Sequence, residues 1–139
     1  VKNGSTMLDA SYYAGNEQTY IKHYFLEHYL NRVAWHIGYS RGALVYLDCF
    51  SGPWRNKDAA LGDTSIRISL EELEKVSGQI RERGRRCEVE AAFVEENKQS
   101  FATLEEFLKG RSGRVRTVAF PGSFEDNIGR LLEQAGKRF

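Results

Sequence analysis

Apolar positions recur along this chain in two alternating patterns. From about Glu17 to Ile37, Ile21, Phe25, Tyr29, Val33 and Ile37 return at every fourth position, and Leu26, Leu30 and Ala34 widen that face. This spacing predicts an amphipathic helix that buries the stripe. Asn16 is placed as its N-cap, Glu17 suits the first turn, and Gly38 stands where the helix should end. A different pattern follows. Ala43–Phe50 is almost continuously apolar, as in a parallel strand covered on both faces. A loop over Pro53–Gly62 then leads, through Asp63 or Thr64 as a cap, into a helix from about Ser65 to Arg83. Its core stripe is Ile66, Leu70, Leu73, Val76 and Ile80, with Gly78 weakening it by about 1 kcal/mol relative to Ala.

The alternation repeats. A second strand is expected over Cys87–Glu95, and Asn97 caps a helix that turns Phe101, Leu104 and Leu108 inward. A third strand covers about Val115–Phe120, Pro121-Gly122 makes a turn, and a last helix runs from about Phe124 to Ala135, with Gly136 placed to stop it. Strands alternating with helical crossovers predict an α/β domain with a parallel sheet and right-handed connections. Residues 1–15 read as a loose lead-in and 16–139 as the domain. Three strands make one half of a doubly wound sheet. In the order 3-2-1, strand 1 lies at an open edge despite its buried character. The chain also opens on Val1 rather than Met. The expectation is a domain that is incomplete, above all at its C-terminal side, or an edge covered by a partner or second copy.

Composition narrows the setting. The 139 residues are 41% hydrophobic and 28% charged, as for one globular domain with a real core. A net charge of +1 makes no overall electrostatic case for a nucleic acid or a membrane, so an RNA or DNA acceptor is unsupported on this ground. Cys49 and Cys87 have no metal-ligand spacing and fit a reduced, cytoplasmic setting. No metal site and no bilayer-spanning run is expected.

The candidate chemistry lies where strands end, because ligands of open α/β sheets bind outside the carboxyl ends of the strands. Strand 1 delivers Asp48, followed at once by Phe50, Gly52 and Pro53. Gly52 would let the backbone approach a ligand closely. The three glycines of a dinucleotide phosphate-binding loop are missing, which weighs against a dehydrogenase or nucleotide hydrolase. Strand 2 ends at Glu95, an acceptor suited to the two hydroxyls of a ribose; the plainer alternative is a solvated acidic pair with Glu96. After strand 3, Ser123 and Phe124 could read the edge and face of an adenine, or Ser123 could simply cap the last helix. Together the two acids suggest a nucleoside-bearing cofactor. Lys22 and His23, on periodicity alone, are surface residues, His23 standing four residues from Glu27.

Ala14-Gly15-Asn16-Glu17-Gln18-Thr19-Tyr20-Ile21-Lys22-His23 and Asp48-Cys49-Phe50-Ser51-Gly52-Pro53-Trp54 are similar to hallmark segments of the three-Cys-motif partner protein family. So are Phe93-Val94-Glu95 and Gly122-Ser123-Phe124. The start of the chain also resembles the bacterial 23S ribosomal RNA adenine-N6 methyltransferase J family. The resemblance spans most of residues 12–130. It implies a Rossmann-like, class I methyltransferase-type parallel sheet with an N-terminal helix, and S-adenosylmethionine as cofactor. The contacts it implies are Asp48, Gly52 and Glu95, and it lifts Lys22 and His23 to cofactor or substrate contacts. The Asp-Pro-Pro-Tyr type motif of the methyltransferase J family does not occur here. The expected function is therefore an S-adenosylmethionine-binding, methyltransferase-like protein. The alternative is a non-catalytic protein that keeps the fold and associates with a cysteine-motif partner.

Overall fold

The computed structural model describes residues 17–49 and 65–136. A helical N-terminal segment comprises α1 (Glu17–Phe25), a π-helical turn (Leu26–Leu30) and α2 (Asn31–Arg41). Then come β1 (Ala43–Asp48), α3 (Ser65–Glu82), β2 (Glu88–Glu95), α4 (Lys98–Gly110), β3 (Arg116–Pro121) and α5 (Phe124–Gly136). The strands form a three-stranded sheet in the order β1-β2-β3, parallel throughout. The α/β alternation and the strand order are as the sequence predicts, with boundaries after the N-terminal helix shifted by one or two residues. The caps expected at Asn16 and at Asp63 or Thr64 lie outside the described residues.

β2 is the central strand and is buried along its whole length after Glu88. β1 has one neighbour among the described strands, and Val45, Tyr46 and Leu47 are only half-buried. The main core lies on one face of the sheet, where Leu44, Val89, Ala91 and Phe93 meet α3 and the N-terminal helices. Leu104 of α4 joins the same core. The other face is thinner. Ala92 and Val94 pack there against Leu131 of α5, with Leu47, Val118 and Phe120 at the margin. Strand side chains alternate between faces, so helices on both sides are what a two-faced apolar strand requires.

The N-terminal helix buries Leu26, Leu30 and Ala34 as the sequence predicts and departs from that reading in two ways, the row left exposed and the place where it ends. Its buried row is Leu26, Leu30, Ala34 and Gly38. Ile21, Phe25, Tyr29, Val33 and Ile37, expected inside, are exposed to between 37% and 65%. The helix also runs through Gly38 and ends at Gly42, whose φ of +73° forms a left-handed C-cap donating to the Gly38 carbonyl. The reason is close approach. A Cβ on Gly38 would lie 2.8 Å from Cys87 Sγ and 2.9 Å from Ile80 Cδ1. The small Ala34 and Gly38 let this helix sit down on α3 and the start of β2, and the bulkier row is left facing outward.

Candidate functional site at the carboxyl edge of the sheet

Parallel pairing places the strand ends on one edge. Asp48 pairs in register with Phe93, and Glu95 with Pro121, so both acids stand at that edge with Glu95 two residues further along. Asp48 is buried, and the Lys22 ammonium lies 3.3 Å from each of its carboxylate oxygens. This pair ties α1 to the end of β1. His23 beside it is 3% exposed, so the surface position that periodicity predicts for it is wrong. The helix turns Lys22 and His23 toward the sheet because the Leu26–Leu30–Ala34 row, not the Ile21–Phe25 row, faces inward. The π-helical turn follows directly; such turns recur where a helix positions functional side chains.

Glu95 is 5% exposed. Its Oε1 accepts the Asn97 backbone N–H at 2.9 Å, while Oε2 is buried without a hydrogen-bond partner among the described residues. The solvated acidic pair is thereby excluded for Glu95, whereas Glu96 is exposed. The Glu95 carbonyl accepts the N–H of Gly122, whose φ of +108° bends the chain away from β3. Ser123 caps α5, its Oγ accepting the Asp126 N–H at 3.1 Å. Phe124 packs on the thinner core beside Ala92, Val94 and Leu131.

One residue that the sequence reading missed holds this turn. Asn127 is 2% exposed, and its Nδ2 donates to the carbonyls of Pro121 at 2.9 Å and Ser123 at 2.8 Å. Its only sequence signal was a polar residue on the inward face of an amphipathic helix. Phe50 and Gly52, expected at the same edge, lie outside the described residues, as does the loop that follows them.

Burial first, and then the charge of Asp48, act on the groups at this edge. Burial, and then the Asp48 carboxylate, push the Tyr46 phenol far above its ordinary value, against a hydrogen bond with Ser69. Burial and Asp48 also raise the Cys49 thiol, and Lys22 opposes them. In both groups the ionised form is disfavoured. No group of three or more His, Cys, Asp or Glu side chains able to hold a metal occurs among the described residues. No helix among them is long and apolar enough to cross a membrane. What remains is a pair of buried carboxylates, one held by a lysine and one with an unused acceptor oxygen. Such an edge suits a ligand rich in hydroxyl donors or carrying positive charge.

Scans against family models, curated proteins and solved structures found no match to this chain.

Proposed function

We propose that this chain is an S-adenosylmethionine-binding, methyltransferase-like protein with a Rossmann-like, class I sheet. One observation carries the reading: the buried Glu95 Oε2, without a partner among the described residues, at the carboxyl end of the central strand. A buried carboxylate oxygen left unmade costs free energy, and a ligand hydroxyl would satisfy it. The residues present fit the cofactor. Glu95 would accept the ribose hydroxyls. Asp48, steadied by Lys22, would take the ammonium or sulfonium end. The turn at Gly122, Ser123 and Phe124 would border the base. The bound cofactor would supply an electrophilic methyl group, and the chain's part would be to orient it toward an acceptor.

The placement of the helices supports the sheet type. α3 and α4 contribute to the core on one face, and α5 packs on the other. In a doubly wound sheet, connections change face at the topological switch point, beside the first strand, where ligands bind.

Titration calorimetry with S-adenosylmethionine and S-adenosylhomocysteine tests the proposal. Saturable heat with both is expected. Absence of heat and of any thermal shift at millimolar ligand, with circular dichroism showing a folded chain, would overturn it.

The second reading is a non-catalytic partner protein that keeps this fold. The exposed row Ile21, Phe25, Tyr29, Val33 and Ile37 favours it, since contiguous exposed apolar residues mark interaction surfaces. Cofactor binding without methyl transfer to any offered nucleic-acid or protein acceptor would favour this reading. In either case the setting proposed is the reducing cytoplasm.

A further inference from the structure

The edge of the sheet opposite the candidate site is built from arginine. Arg81 and Arg83 lie at and just beyond the end of α3, Arg85 and Arg86 lead into β2, and Arg114 and Arg116 lie at the start of β3. The backbone gathers them. The Glu88 N–H donates to the Gly42 carbonyl, aligning the amino ends of β1 and β2, and Arg116 pairs in register with Glu90. All of these arginines except Arg83 line one cavity of about 450 Å³, shared with Ser77, Cys87, Val89 and one acid, Glu88.

The positive charge is cancelled only in part, by Glu82, Glu88 and Glu90 in the same stretch of chain. Arg116 is shared with Glu88 and Glu90 at 3.8 Å each. Arg81, Arg86 and Arg114 form no ion pair among the described residues, and all are exposed. The α3 dipole presents roughly half a negative charge at its C-terminal end, enough to favour one or two cations but not this group. The net charge of +1 therefore conceals a segregated surface.

Two of the arginines are held in place. The Trp35 and Tyr39 rings stack at 4.6 Å, 8° from parallel. Arg85 lies 4.3 Å over the Tyr39 ring and Arg83 lies 5.6 Å over Trp35. Cation–π contact orders the guanidinium planes while leaving their N–H edges directed elsewhere. Arg85 belongs to both the aromatic shelf and the cavity, so the basic surface is continuous from α2 to β3.

We infer that this amino edge binds the phosphodiester backbone of a nucleic acid, on the side of the sheet opposite the proposed cofactor site. Six arginines gathered at one edge, two of them held on aromatic rings, suit a series of phosphates spaced along a strand. A single small anion could engage only part of the row. The inference does not depend on cofactor binding.

The test is fluorescence anisotropy of the full chain with a labelled, mixed-sequence single-stranded RNA, measured from about 50 to 200 mM salt. Engagement of about four phosphates predicts a slope near −3 for log affinity against log salt. Arg86→Glu with Arg114→Glu alters two exposed arginines that make no cation–π or ion-pair contact among the described residues. Affinity should fall about tenfold or more, and the slope should become shallower by about 1 to 2. Lys98→Glu with Arg130→Glu makes the same change in net charge elsewhere on the surface and should leave binding within about twofold. A thermal melt shows that each variant is folded. Absence of binding at the lowest salt, or equal loss in both double variants, would overturn the inference. So would displacement of the RNA by micromolar inorganic phosphate, which would make this a single-anion pocket. Tighter binding of a phosphorylated peptide than of RNA at matched charge would overturn it as well.

Discussion

The Lys22 ammonium sits 3.3 Å from both oxygens of the Asp48 carboxylate, joining the first helix to the end of the edge strand. The pair is asymmetric: the Asp48 side chain is 5% exposed and that of Lys22 37%. Losing the lysine strips a buried carboxylate of its cation, whereas losing the acid lets the lysine turn to water. Lys22→Met should therefore destabilise by about 2–3 kcal/mol and Asp48→Asn by about 1 kcal/mol. Urea denaturation of both variants checks the order. Equal losses would show that the buried acid is held by its other contacts.

Glu95→Gln keeps the carbonyl that accepts the Asn97 N–H and removes the charge from the unpartnered oxygen. If Glu95 binds ribose hydroxyls, each charge-assisted bond contributes about 1.5–3 kcal/mol, and S-adenosylmethionine affinity should fall about ten- to a hundredfold. The fold should be unchanged by circular dichroism. Unaltered affinity, measured by calorimetry, would confine Glu95 to the turn before α4.

Glu74 should make stability depend on acid pH. Burial alone would raise its carboxyl. The Val115 and Arg114 N–H groups and the Arg111 guanidinium more than reverse this and hold it below the ordinary value. A folded value below the unfolded one, near 4.3, gives stability fully present above that pH and lost as pH falls through the folded value. Glu74→Gln should flatten this acid limb and, because the group is partly exposed, cost only about 1–2 kcal/mol at neutral pH. Melting temperature between about pH 2 and 6 reports both. Gly113→Ala should act similarly, since an added Cβ would overlap Glu74 Oε1.

The two rows of the N-terminal helix should respond oppositely to substitution. Leu30→Ala opens the core and should cost about 2–5 kcal/mol, and Gly38→Val, crowding Cys87 and Ile80, about 1–3 kcal/mol. Val33→Thr on the exposed row should stay within about 0.5 kcal/mol. Equal sensitivity of Val33 and Leu30 in denaturant melts would contradict the observed facing.

The exposed row and the edge strand should also make the 139-residue chain self-associate. Sedimentation velocity should show species larger than a monomer. Val33→Lys with Ile37→Lys should shift them toward monomer, if the helix face rather than the β1 edge is the contact. An unmutated chain that sediments as a soluble monomer would show that neither surface drives association.

The sequence by itself determined the order of elements, the parallel sheet and the strand ends at Asp48 and Glu95. These follow from local signals: near-continuous apolar runs for β1 and β2, the Asn97 cap that accepts the Ser100 N–H, and the periodic stripe of α3. Periodicity could not choose between two adjacent rows of the N-terminal helix. Both repeat at four, and on the sequence both belong to one widened apolar face. Tertiary packing chose Leu26, Leu30, Ala34 and Gly38, because a glycine against Cys87 and Ile80 permits an approach that a larger side chain forbids. That same choice turned His23 inward and brought Lys22 to Asp48 across 26 residues of chain. Net charge likewise could not reveal the arginine edge. A sum over the chain has no direction, and only the sheet brings Arg81–Arg86 beside Arg114 and Arg116.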